Sequence, residues 1–178
     1  MANVITGIIV VALVVGAVMT LTNAFLSSAS DISLSWGKMA DRTGDRARTE
    51  LQLITADMVG SGTNIDISLR NSGQTALREF KKWDAVISYY ATSSNANLNI
   101  TRMTYTTSSS PSNGQWTVVG VYLNAGTAEA EVYEPNVFNP GEEMIVRLNV
   151  TPAIPTTTDN LATIGTANGV TLSAPFSR

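Results

Sequence analysis

The first charged side chain of this sequence is Asp31. Ahead of it, between Val4 and Leu21, twelve large aliphatic or thioether side chains fall at every angle around a helix. A helix made here is apolar all round and has to be enclosed on every side. At roughly 1.5–3 kcal/mol per buried large apolar side chain, twelve of them leave on the order of 20–35 kcal/mol unrealised in water. That exceeds the net stability of an ordinary domain, about 5–15 kcal/mol. The segment therefore belongs in lipid or in a sheath of other protein. Its Val and Ile content favours strand by propensity, but a lone strand in an apolar medium leaves its backbone groups unpaired, whereas a helix satisfies them internally.

The 178 residues leave room for one ordinary domain beside this appendage. All six prolines lie at Pro111 or later, and the first 59 residues hold only four glycines, so the front of the chain can be one long helix and the rest cannot. After Leu21 polarity rises gradually into a charged stretch. Ile32, Trp36, Met39, Thr43, Ala47, Leu51, Ile54 and Met58 are spaced 4, 3, 4, 4, 4, 3 and 4 residues apart, a continuous helical stripe. The sequence thus predicts a single helix over 1–59, about 55 residues from Val4 to Met58 and roughly 80 Å long. Its apolar part is 1–30 and its amphipathic part 31–59. Gly60-Ser-Gly62 ends it.

From residue 60 to 178 the period changes to two. Ile65, Ile67 and Leu69 alternate with Asp66, Ser68 and Arg70, and Asn71-Ser-Gly-Gln74 is turn chemistry. Further strands are expected at 77–80, 83–91, 97–106, 115–123, 128–133, 143–151, 161–166 and 170–174. The fold class expected is α+β: a long N-terminal hydrophobic α-helix followed by an antiparallel β-sandwich of immunoglobulin-like, Greek-key type.

Composition narrows the chemistry. The formal charge is −3 and the basic residues form no run, so no nucleic-acid footprint is present. There is no cysteine and no histidine, which removes disulfides, thiolates, the commonest general base and the commonest metal ligand. No Gly-x-Ser-x-Gly elbow occurs. No catalytic residue, cofactor or metal is expected. Glu129, Glu131, Glu134, Glu142 and Glu143 form an acidic patch without the ligand spacing of a calcium loop, and read as a solvated loop. Asn99-Ile-Thr101 and Asn149-Val-Thr151 are acceptor sequons. With Leu98 and Ile100 inward on one strand, and Leu148 and Val150 inward on another, both Asn99 and Asn149 would face solvent as candidate glycosylation sites.

A secretory signal would show a basic leader, and here the apolar run starts at once. Either the chain is shown after processing or export uses the apolar segment itself, as a signal anchor does.

The Thr6-to-Val15 helix start, the charged continuation, the Arg70-Asn-Ser-Gly73 turn, Phe80-Lys-Lys-Trp-Asp84, the Phe138-Asn-Pro-Gly-Glu142 loop and Ala167-Asn-Gly-Val-Thr-Leu172 together resemble the archaellins, the archaeal flagellins related to type IV pilins. The resemblance implies an extracellular, cell-surface filament subunit for swimming motility. Such a subunit is a homo-polymer, processed by a leader peptidase, assembled by a membrane-embedded motor platform and in the membrane only before assembly. Ile5 stands where many bacterial type IV pilins carry Glu, which favours the archaellins over that relative.

The residues themselves lead the same way, because a heterologous contact that does not close generates an open helical filament. Val4, Ile5, Ile8, Ile9, Val11, Leu13, Val14, Val15, Val18, Leu21 and Phe25 would pack its core, with the stripe Ile32, Trp36, Met39, Leu51, Ile54 and Met58 facing neighbours. Asp31, Asp41, Arg42, Asp45, Arg46 and Arg48 would form ion pairs between subunits or simply a wet helix face. Two other readings share these features: an adhesive pilin or pilin-like motor or envelope component, and a signal-anchored exported binding module.

Overall fold

The computed structural model describes residues 2–91 and 97–178, with side chains from Val4 onward in the first helix. Helix α1, Ala2–Arg48, is 47 residues long, roughly 70 Å at 1.5 Å per residue. The chain divides into two compact units, Met1–Gly44 and Asp45–Arg178. The first is helix alone. Its large apolar side chains, from Val4 to Met39, are all exposed within the single chain. The hydroxyls of Thr20, Thr22, Ser35 and Thr43 donate to the carbonyls of Gly16, Val18, Asp31 and Met39, four residues back, at 2.8–2.9 Å. These polar groups are satisfied by the helix itself and so tolerate an apolar surrounding.

The expected helix over 1–59 is too long by eleven residues, since it stops at Arg48 and Leu51–Val59 form strand β1. Leu51, Ile54 and Met58 are therefore strand residues and not part of a helical stripe. The segment carries two periods at once. Leu51, Ile54 and Met58 fit a helix, while Leu51, Leu53, Ala56 and Met58 fit a strand with one bulge between Leu53 and Thr55. The strand reading wins because it supplies a ladder with β2, Asn64–Asn71, and lays those four side chains against the core, leaving Ile54 outside. Tertiary pairing overrides a local pattern that both periods satisfy.

The remaining elements are a 3-10 turn at Phe80–Lys82, β3 Asp84–Tyr90, β4 Leu98–Tyr105, β5 Gln115–Asn124, β6 Glu129–Ala130, β7 Glu143–Asn149, β8 Asn160–Gly165 and β9 Thr171–Phe176. Hydrogen bonding orders them β1-β2-β7-β5-β4-β3-β8-β9, with β6 on the outer side of β5. β9 also lies against β1, so the two ends of the sheet meet around one core. The insertion of β7 between β2 and β5 is the non-local step expected of a Greek-key chain. One pair departs from the antiparallel expectation: β4 and β5 run parallel through Thr104–Gln115 and Tyr105–Trp116.

The core follows from alternation. Ile65, Ile67 and Leu69 of β2, Met144, Val146 and Leu148 of β7, and Ala85, Ile87 and Tyr89 of β3 all point inward, joined by Trp116 and Phe138. Each large apolar member contributes roughly 1.5–3 kcal/mol. Strand β4 inverts the expected face. Met103 is its buried residue, so Leu98 and Ile100 turn outward, and Asn99 and Thr101 share the inner parity at the strand's start. The expected strand at 77–80 is a single bridge, Leu77 to Phe138, followed by the turn. The one at 128–133 shrinks to the two residues of β6.

Candidate functional site

Two surfaces carry what this chain can do, one on each compact unit. On the helix, the eleven residues expected to pack a filament core, Val4 to Phe25, are side by side on a rod with no cover of their own. From Val4 to Leu26 the helix runs 23 residues without a charge, about 35 Å, which suffices to cross a hydrocarbon layer of roughly 30 Å. Ile32, Trp36 and Met39 continue as exposed apolar side chains at 55%, 70% and 66%. Among the six charged residues singled out above, the ion pair formed among the described residues is Arg48 with Asp45, at 3.1 Å and one helical turn apart. Arg46 and Arg48 occupy the last turn, where the helix dipole favours cations. Asp31, Asp41 and Arg42 stand exposed.

On the domain, three short sequence motifs meet at one junction. Asn71 is fully buried; its side-chain amide donates to the carbonyls of Thr75 and Phe138 at 2.8 and 2.9 Å, and its side-chain oxygen accepts from the Gly73 N–H at 3.2 Å. Its backbone is held by Gly141 and Glu142. The Gln74 N–H donates to the Arg48 carbonyl at 2.7 Å, and both Ser72 and Gly73 donate to Glu50. The Thr49 hydroxyl donates to the Asp45 carbonyl at 2.7 Å and accepts from the Asn168 amide at 2.6 Å. Residues 45–50 are thus clasped by the turn at 71–75, which the loop at 138–142 holds in place through Asn71, and by the hairpin at 166–170. A buried asparagine with all its groups paired is the kind of polar residue that fixes one arrangement.

Among the described residues the acidic patch forms no cluster able to hold a metal, although Glu134 and Glu142 share the Asn139 side-chain amide at 3.4 and 3.2 Å. Glu142 accepts from the Asn139 N–H at 2.6 Å. Glu143 accepts from the Ala125 N–H at 2.7 Å and from Arg70 at 2.5 Å. The Ala125 amide, ahead of the Arg70 guanidinium, holds the Glu143 carboxyl below its ordinary range although burial opposes this. Glu131 accepts from the Tyr133 and Glu134 amides, which lower its pKa likewise. That cap pins a loop from which Val132 and Tyr133 project, the tyrosine 94% exposed. Sequence reasoning placed these residues on a strand and so missed them; the Glu-Val-Tyr-Glu spacing, a carboxylate two and three residues before the amides it caps, is the signal that was there.

Two shallow clefts of about 420 and 390 Å³ flank Tyr105. One is lined by Lys81, Lys82, Trp83 and Arg102, the other by Phe80, Val119, Tyr122 and Glu131. Arg102 is already paired with Asp84 and Lys82 with Glu79, so the first cleft is not a bare cationic pocket. The two sequon asparagines differ in setting. Asn149 lies on the interior strand β7, and its amide donates to Asn64 at 2.7 Å. Asn99 lies on β4, which pairs with β5 only at its last two residues.

No curated protein matches the chain. Among solved structures it is similar to the archaellum periplasmic stator protein complex FlaF and FlaG from Sulfolobus acidocaldarius (22% identity over 72% of this chain and 89% of that one, TM-score 0.51). The archaellum periplasmic stator protein FlaG from the same organism matches at 22% identity, covering 72% of this chain and 99% of that one, TM-score 0.51. The archaeal flagellum of Methanospirillum hungatei strain JF1 matches at 14% identity, covering 97% of this chain and 90% of that one, TM-score 0.56. At such identities the likeness is one of fold. Family membership rests on residues 49–164, nearly the whole clasped domain: the chain is an archaellum-related protein of the cell envelope or surface and belongs to the family described as conserved flagellar protein F, immunoglobulin-like domain.

Proposed function

We propose that the chain is a non-enzymatic, membrane-anchored component of the archaellum stator. The helix from Val4 to Leu26 holds it in the bilayer, and the immunoglobulin-like domain works outside, gripping the envelope or a partner domain. The observation that carries this reading is the family match of the domain to flagellar protein F. The helix supports it: its uncharged length fits one bilayer crossing, its hydroxyls are self-paired, and its charges begin at Asp31, beyond the apolar run.

A second reading, the extracellular homo-polymeric filament subunit, draws on one specific observation. The likeness to the Methanospirillum filament extends over the apolar helix as well as the domain. A filament core and a bilayer both accept an all-round apolar helix, so the helix alone does not separate the two.

Location and abundance do. Cells are sheared to release their appendages, and the chain is quantified by mass spectrometry in the sheared filaments and in the washed envelopes. The stator reading expects the chain in the envelope fraction at low copy and released by detergent. A chain that dominates the sheared filaments would replace the stator reading with the filament one.

A further inference from the structure

The two acceptor sequons differ in what holds them. Asn149-Val-Thr151 begins at the last residue of β7, an interior strand, where Asn149 is paired with Asn64 of β2 on one side and Gln115 of β5 on the other. Its carbonyl accepts from the Gly114 N–H at 2.9 Å, and its side-chain amide donates to the Asn64 side-chain oxygen at 2.7 Å. A sugar on that nitrogen would crowd the Asn64 side chain, already at hydrogen-bond distance. An enzyme reaching it in the folded domain would have to open two ladders.

Asn99-Ile-Thr101 lies on β4, whose residues 98–103 pair with β3 alone, because β5 joins only at Thr104 and Tyr105. The Ala91 N–H donates to the Asn97 carbonyl at 3.0 Å, which sets the phase of that antiparallel ladder: Asn99, Thr101 and Met103 exchange bonds with β3. Leu98, Ile100 and Arg102 therefore turn their N–H and C=O groups to the open edge. Thr104, next in that series, finds a partner there, its N–H donating to the Gly114 carbonyl at 2.9 Å. Leu98 and Ile100 are exposed, at 51% and 69%. An open edge flanked by apolar side chains is a template for unwanted strand pairing, and proteins manage such edges by covering them. Asn99 and Thr101 are two residues apart and share the opposite face of the strand, so the amide and hydroxyl that a glycosyl transferase reads together sit side by side. Both are half-buried, and among the described residues neither side chain makes a hydrogen bond. One ladder, not two, stands between this sequon and an enzyme.

We propose that Asn99, and not Asn149, carries an N-linked oligosaccharide, whose bulk shields the open edge of β4 beside Leu98 and Ile100. The donor is an oligosaccharide carried on a lipid phosphate outside the membrane. The Asn99 Nδ2 attacks its anomeric carbon: a C–N bond forms and the C–O bond to the phosphate breaks. The lipid phosphate leaves with the electron pair, and one amide proton passes to a base of the transferase. The inference rests on the domain lying outside the membrane, which the stator and filament readings share.

Trypsin separates the two sites, since cleavage after Lys82, Arg102 and Arg147 yields the peptides 83–102 and 148–178. The full chain is purified from fractionated native cells, and its intact mass and these two peptides are measured by mass spectrometry. Most of peptide 83–102 is expected to carry a mass increment made of sugar units, and peptide 148–178 to be bare. Asn99→Gln and Thr101→Val are each expected to abolish the increment. Thr101→Ser, which keeps the hydroxyl, and Asn149→Gln are expected to retain it. A bare peptide 83–102 in the unsubstituted chain, or sugar on peptide 148–178, overturns the proposal. The two ways of failing are distinct: an envelope or filament chain with a bare Asn99 removes only the glycan, whereas a chain confined to the cytosol removes the location on which the stator and filament readings both depend.

Discussion

Arg147 on β7 and Asp66 on β2 face each other across the ladder and share two parallel hydrogen bonds of 2.6 Å each. The Asp66 carboxylate raises the pKa of Arg147 above its ordinary value, mainly through those bonds. Both side chains are more covered than a surface pair, so the usual entropy and screening losses of an exposed salt bridge are reduced. Asp66→Ala leaves a guanidinium half out of water with nothing to accept from it. The expected loss is about 1–3 kcal/mol, read as a lower midpoint in chemical denaturation of the domain. Replacing both partners by apolar residues of similar volume is expected to recover most of that loss.

The clasp at residues 45–50 depends on one glycine. A Cβ at Gly73 would lie 2.5 Å from both the Arg48 carbonyl oxygen and the Glu50 nitrogen. Both are backbone atoms and neither can swing away. Gly73→Ala is expected to destabilise the domain by about 1–3 kcal/mol, the cost of overpacking a closed site. Gly44→Ala is the contrast: it lies in the helix with nothing within 4 Å of the added methyl. That change is expected to be neutral or to stabilise by up to about 1 kcal/mol. Thermal melts of the two variants, monitored by tryptophan fluorescence and by helical circular dichroism, separate the effects.

Acid sensitivity should trace to Glu143. Its carboxyl is buried and held below the ordinary glutamate pKa by the Ala125 amide and by Arg70. A folded-state pKa below the unfolded one, near 4.3, means the folded state prefers the ionised form. That contribution is fully present above the unfolded pKa and is lost as pH falls through the folded one. Stability is therefore expected to fall below about pH 4. Glu143→Gln should lower stability at neutral pH and flatten the acid limb. An acid limb unchanged in slope would assign the sensitivity elsewhere.

Much of this architecture is legible in the residues. The alternation Ile65-Ile67-Leu69 reads directly as β2 because it satisfies only one period, and the Val4–Phe25 run reads as helix because only a helix pairs its own backbone in an apolar surrounding. The segment 51–59 is ambiguous for the opposite reason: Leu51, Ile54 and Met58 serve a helix as well as Leu51, Leu53, Ala56 and Met58 serve a bulged strand, and only the ladder with β2 decides. On β4 the inversion comes from Met103 and Tyr105, which pack inward at the far end and carry the parity back to Asn99. No local pattern weighs Met103 against Ile100. The turn at Asn71-Ser-Gly73 is recognisable as a turn, but its partners Phe138, Gly141 and Arg48 are far along the chain, so its role as a clasp emerges only in three dimensions.

The apolar helix gives the most direct test of where the chain lives. Val11 and Val14 sit in the middle of the uncharged run and are exposed in the single chain. An aspartate there costs roughly 2.5–3.5 kcal/mol in a bilayer centre, and more if a neighbouring helix packs over it. Both positions belong to the helical unit, and the core of the domain is built without them. Val11→Asp and Val14→Asp are therefore expected to leave the β-domain folded, with its own unfolding midpoint unchanged, while the chain is lost from the envelope or from any assembled appendage. Fractionation of cells expressing each variant, together with denaturation of the full-length variants purified in detergent, reads both halves of that expectation. Full retention of either variant in the envelope would mean that Val4–Leu26 is not what holds the chain there, and the anchoring role would pass to the domain.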